Sequence, residues 1–208
     1  MDRRRFFGFA GSSFVAAAGL VGCRGGQVGE VMKDGKKDMV GSHAAGAETY
    51  KPMIDEALGK LMARQGGLQP ASAPGPAPKR ICFVGLENAS SEDLGDFKEQ
   101  IIEIIDTKIN TSGVFMQISR RFTESGLRDA RIRPDDLFKP AKQREFLAIM
   151  EQQGQPFDYL LFAKVTSGTT RNNDATQKDY MLTLDLVNIQ TGTQDKESAS
   201  IRKGYRRR

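Results

Sequence analysis

Apolar positions along this chain recur with two different periods, and the switches between them mark out its elements. From Thr49 to Arg64, Tyr50, Ile54, Leu58, Leu61 and Met62 follow helical spacing, which predicts one amphipathic helix. Pro52 falls in its first turn, where a missing N–H costs nothing, and Gly66-Gly67 end it. The run Gln69 to Pro78 (QPASAPGPAP) reads as a stiff, solvated spacer between that helix and the rest of the chain. Ile81 to Leu86 is apolar at successive positions, the pattern of a strand covered on both faces.

A second helix is expected to open at Ser90-Ser91-Glu92-Asp93, where Ser90 and Asp93 have capping-box spacing. Its buried stripe is Leu94, Phe97, Ile101, Ile104, Ile105 and Ile109, and Gly113 turns the chain into a short strand, Val114 to Ile118. Ser119 starts a polar helix to about Ala130, Pro134 to Phe138 reads as a single turn, and Pro140 to Gln153 as a helix burying Phe146, Leu147 and Met150. Asp158 to Val165 is a strong strand. Tyr180 to Val187 alternates strictly, as a strand with one wet face. Gly168 to Lys178 lies between them as a polar connection, and Lys196 to Tyr205 suits an exposed edge strand. The order predicts an α/β fold, a single domain with a mixed sheet of about four or five strands flanked by helices (βαβααβββ preceded by one helix).

Composition narrows the chemistry. Among 208 residues, hydrophobic side chains make up 38% and Gly adds 22 more positions, which suits a globular chain. One His and two Cys leave too little for a His-rich metal site or a disulfide framework. No nucleophile elbow, Walker loop or dinucleotide fingerprint occurs. The acidic pairs Glu92/Asp93 and Asp135/Asp136 stand at expected helix starts, where carboxylates serve the N-terminal dipole. No enzyme activity, cofactor or metal is expected. Cys82, inside Ile81-Cys82-Phe83-Val84, reads as a small buried hydrophobe, and His43 as a solvated residue.

The opening MDRRRFFGFAGSSFVAAAGLVGC changes the picture most. Arg3, Arg4 and Phe6 resemble a twin-arginine export signal. The apolar stretch after them is shorter than the roughly 20 residues a membrane span needs and fits a cleaved signal peptide. Leu20-Val21-Gly22-Cys23 resembles a lipobox, with small residues before the cut and the Cys23 thiol as the nucleophile that takes the acyl chains. The resulting organisation is signal peptide 1–22, lipidated tether 23–47, leading helix 48–65, spacer 66–78 and globular domain 79–208. Part of the net charge of +5 belongs to the signal, and much of the rest collects in Arg202-Lys203-Gly204-Tyr205-Arg206-Arg207-Arg208. That cluster suits an anionic surface or a solvated tail. An exported lipoprotein does not meet nucleic acid, so none is expected as a partner.

From Lys79 onward the segments resemble one family in series. PFDYLLFAKVTSG (Pro156–Gly168) is similar to a strand of the LpoB family of penicillin-binding-protein activator lipoproteins, as is YMLTLDLVNIQTG (Tyr180–Gly192). Phe83 to Ala89 resembles the family's first strand and its Asn-containing loop, PMIDEALGKLM (Pro52–Met62) its leading helix, and Leu137-Phe138-Lys139-Pro140 fits as well. The resemblance implies a monomeric outer-membrane lipoprotein facing the periplasm, held in the bilayer by acyl chains on Cys23. It implies a role in activating a bifunctional peptidoglycan synthase, a penicillin-binding protein, and so in regulating cell-wall synthesis. Loops on a rigid sheet commonly carry binding, which selects Asn88, Ser90, Asp93, Thr169, Arg171 and Asn172 as contact residues.

Two other readings stand beside it. A subunit of a secretion channel like the curli exporter CsgG would need hairpins of roughly ten-residue alternating strands, and Ser167–Lys178 is too short and polar. A peptidoglycan-binding or cell-wall hydrolase accessory domain would favour aromatic sugar platforms, and the chain has no Trp.

Overall fold

The computed structural model describes residues 45–66, 78–171 and 175–206. In chain order the elements are α1 (Ala47–Gly66), β1 (Lys79–Ala89), α2 (Phe97–Ser112), β2 (Phe115–Gln117), α3 (Arg120–Asp129), a 3-10 turn (Pro134–Phe138), α4 (Pro140–Gln152), β3 (Tyr159–Arg171), β4 (Ala175–Asn188) and β5 (Gln194–Arg206). They form an α/β fold around one mixed five-stranded sheet of order β2-β1-β3-β4-β5. The doubly apolar β1 sits inside the sheet, parallel to β2 and β3, while β3, β4 and β5 form an antiparallel meander. Parallel neighbours require crossover connections, and these supply the helical cover.

One face of the sheet packs under α1 and α2. Phe83, Leu161, Val165, Leu182, Leu184 and Leu186 meet Met53, Ile54, Ala57, Leu58 and Leu61 of α1 and Ile101, Ile105 and Ile109 of α2. On the other face, Cys82, Val84, Leu160 and Phe162 pack with Leu127, Ile132, Leu137, Phe146 and Met150. Fully burying one such aliphatic side chain is worth about 1.5–3 kcal/mol, so α1 is held as firmly as any other helix. Its ends are also fixed: Lys203 pairs with Glu48 at 2.5 Å in the first turn, Gln65 donates to Asp195 at 2.7 Å in the last, and Asp55 meets Lys108 of α2 at 2.8 Å.

A bulge in β1 decides which residues reach the open surface. The register with β3 slips between Phe83 and Gly85, and Gly85 takes a φ of 143°, which side chains other than glycine rarely adopt. The extra residue turns Leu86 into the core and points Glu87 to the opposite face, beside Lys164. At the end of α2, Gly113 turns the chain at φ 66°, as its place in the pattern predicts.

Three expectations need correction. The second helix starts at Phe97, with Asp96 at its N-cap, not at Ser90. Gly95 at φ 47° interrupts helical geometry, and the Ser90 hydroxyl and the Asp93 carboxylate bond within their own loop. Leu94 is buried all the same, just before the helix. Most of Gly168–Lys178 is strand and not loop: the β3–β4 ladder continues to Arg171↔Thr176 and β5 accompanies it to Ala175↔Arg206. Ladder hydrogen bonds use backbone alone, so polar, exposed residues extend a sheet wherever its neighbours do. Ser119 occupies the N-cap of α3, but its hydroxyl makes no cap bond.

Candidate docking surface

The residues selected by sequence gather at one end of the sheet, where β1 and β3 finish. Asn88 accepts from the Ser90 N–H at 3.0 Å and its hydroxyl at 2.6 Å, and donates to the Glu92 carbonyl at 2.8 Å. Asp93 accepts from the Gly95 N–H at 3.0 Å. The Ser91 N–H donates to the Ser167 hydroxyl at 2.9 Å, which ties the loop to β3. Thr169 and Arg171 stand exposed farther along β3. Asn172, Cys23 and the signal residues Arg3, Arg4 and Phe6 lie outside the described residues.

Glu92, whose place beside Asp93 suggests a helix start, is instead the hub of this end. Its carboxylate accepts from the Ala45 N–H at 3.0 Å, from the Tyr180 hydroxyl at 2.9 Å and from the Lys178 ammonium. Burial pushes the Glu92 carboxyl up, but Lys178, the Ala45 amide and Tyr180 together hold it below the usual carboxylate range. Tyr180 is buried, and burial and Glu92 push its hydroxyl well up. Tyr50 lies edge-on to Tyr180 with centroids 6.5 Å apart, and burial with Glu92 and Glu48 raises its hydroxyl to about 12. Three segments distant in sequence meet at this carboxylate, around Ala45, Glu92 and Lys178–Tyr180, and no local pattern announces that.

A broader surface lies on the sheet face opposite α1. There α3 covers β1, while Met181 (44% exposed), Ser198 and Ser200 on β4 and β5 face outward. Beside this unroofed strip is a cleft of about 630 Å³ with Val84, Ile102, Leu127, Pro134, Phe138 and Phe162 among its walls. Leu137 anchors the 3-10 turn in the core, leaving Phe138 stacked on Phe162 and 55% exposed. Charges here are paired within the surface: Lys164 with Glu87 at 3.0 Å, Lys196 with Asp185 at 3.2 Å, and Arg120 with both Glu99 and Glu124 at 2.7 Å. An exposed aromatic ringed by polar groups is the usual anatomy of a protein-binding hot spot.

The profile of the peptidoglycan-synthase activator LpoB family matches residues 51–194. The chain belongs to the LpoB family. The matched stretch takes in most of α1, both layers of helices and four of the five strands, so the leading helix belongs to the LpoB unit in sequence as it does in packing. No curated protein matches the sequence. Among solved structures, the chain is similar to the LpoB C-terminal domain from Salmonella enterica, with 15% identity, a TM-score of 0.49, and 73% of this chain and 97% of that one covered. It is also similar to the lipoprotein GNA1162 from Neisseria meningitidis, with 20% identity, a TM-score of 0.45 and coverage of 61% and 84%.

Proposed function

We propose that this LpoB-family protein is a lipid-anchored, non-enzymatic activator that binds a bifunctional peptidoglycan synthase, a penicillin-binding protein, from the outer membrane across the periplasm. The family match over residues 51–194 carries the reading. The one described thiol supports a role without covalent chemistry: burial pushes Cys82 up to about 12, so it stays a thiol. In this reading Arg3, Arg4 and Phe6 direct export and Cys23 carries the acyl chains. Residues 24–44 then serve as the tether, about 70 Å at full extension and nearer 25 Å as a coil. Activation requires only that the protein bind the working conformation of the synthase better than the idle one. A difference of about 1.4 kcal/mol shifts that equilibrium tenfold.

The synthase docks on the unroofed sheet face, with Phe138 as the central anchor and the paired charges as rim. One observation favours a second face: Ser91 and Ser167 join the loop of Asn88, Ser90 and Asp93 to the strand that carries Thr169 and Arg171. Photocrosslinking in cells, from Phe138 and Met181 and separately from Asn88 and Arg171, decides between them. Capture of a penicillin-binding protein from the first pair is the expected result. Capture from the second pair alone moves the site to the loop end, and no captured synthase from either contradicts the reading.

A further inference from the structure

Strand β1 has a neighbour along nearly its whole length on one side and only at its start on the other. It pairs with β3 from Ile81 to Ala89, whereas β2 accompanies it only over Lys79–Ile81. The Ile118 N–H donates to the Ile81 carbonyl at 2.9 Å, and the chain then leaves the sheet at Ser119 to form α3. No strand among the described residues lies beside the remaining edge, from Phe83 to Ala89. Over roughly 20 Å, the N–H and C=O groups that point to that side have no ladder partner.

The cleft of about 630 Å³ follows this edge. Five consecutive residues, Phe83 to Glu87, line it, with Ile102 of α2 on one side of the sheet and Leu127 of α3 on the other. Successive residues of a strand point to opposite faces, so a space that meets all five runs past the edge itself. At its middle, a Cβ added to Gly85 would have nothing within 4 Å, which leaves room for another backbone to approach. Arg120 of α3 bonds to Glu99 of α2 at 2.7 Å and ties the two walls together. The charged side chains around the cleft are balanced, five cations and five anions, so it has no field for a nucleic acid or a lipid headgroup.

We propose that an extended, predominantly apolar segment of the synthase adds to the sheet as a strand along the free edge of β1, between α2 and α3. The inference rests on the reading that the protein binds a synthase and names how that partner is held. A row of backbone donors and acceptors is matched by another extended backbone; its main-chain bonds supply affinity and its alternate side chains supply specificity. About six residues span the edge, with side chains facing Ile102 and Leu127 in turn. The balanced charge of the cleft matches a segment without net charge. Helices flank the edge on both sides, so a strand from a loop or a terminus enters. The edge of a second copy, which brings its own α2 and α3, does not. Phe138 lines the same cleft, so strand and aromatic anchor belong to one interface.

Hydrogen exchange of the full chain with Cys23→Ser, alone and with the purified cognate bifunctional synthase, tests this. Amides that face the free edge are expected to exchange rapidly in the free protein. With synthase at ten times its Kd, alternate amides between Phe83 and Ala89 are expected to slow about tenfold, because they exchange only when the added strand leaves. Docking on the unroofed face alone adds no bond to the β1 backbone and leaves these amides unchanged. Bound synthase with unprotected β1 amides therefore overturns the proposal and leaves the activator reading standing. Protection that grows with the protein's own concentration and needs no synthase also overturns it, in favour of a second copy. If the synthase does not bind at all, both the proposal and the activator reading fail.

Discussion

Phe138 lies flat against Phe162, with ring centroids 4.7 Å apart and planes 26° from parallel, yet Phe162 is buried and Phe138 is more than half exposed. The stack itself is worth about 0.5–1.5 kcal/mol, so Phe138→Ala is expected to cost the fold little. The loss belongs in binding: affinity for the synthase is expected to fall tenfold or more while the thermal midpoint moves by only a few degrees. Titration of synthase binding beside a melting curve checks both. A large drop in stability with unchanged affinity would make Phe138 merely a structural residue.

The Glu92 cluster makes stability depend on pH. A carboxyl held below its ordinary range contributes stability that is complete above that range and is lost as pH falls through the lowered value. Glu92→Gln is expected to destabilise the domain by about 1–3 kcal/mol at neutral pH, because Lys178 loses its counter-charge and a buried bond network is broken. The deficit should shrink on acidification, and denaturant unfolding of both proteins across the acid range measures it. A deficit that is constant with pH would show that Glu92 acts by shape and not by charge.

Ile54 faces the sheet from α1 and is fully buried. Ile54→Ala is expected to cost about 2–5 kcal/mol through lost burial and the cavity left behind. A single cooperative transition, lowered as a whole, is the expected unfolding profile. A separate early transition for the helix would show that α1 is an appendage.

Much of this architecture is legible in periodicity, and the remainder is hidden for physical reasons. The doubly apolar run at Ile81 announces a central strand, and the strict alternation from Tyr180 to Val187 announces one wet face, which is the unroofed one. Alternation cannot say whether a helix covers that face, because cover is a property of the crossovers. Gly168 to Lys178 reads as a polar connection, but neighbouring strands carry the ladder into it as far as Arg171↔Thr176. Ser90 and Asp93 match a cap by spacing, and Gly95 only two residues later undoes it. Glu92 and Phe138 owe their roles to long-range contacts with Lys178 and Phe162, which no window of sequence contains.

Cys82 is enclosed between the sheet and α3, 3.2 Å from the Thr123 hydroxyl. With burial raising its thiol to about 12, it is expected to be unreactive toward a thiol reagent in the native protein and to react fully in denaturant. Rapid native labelling of the Cys23→Ser chain, which has Cys82 as its only thiol, would contradict this burial.

The central claim is that this domain activates a peptidoglycan synthase by binding it. The most direct measurement is the rate of glycan polymerisation and crosslinking by the purified cognate bifunctional synthase as the protein is titrated to saturation. A rise in rate that saturates, with Phe138→Ala reaching it only at higher concentration, is the predicted result. An unchanged rate at saturating protein would contradict the account.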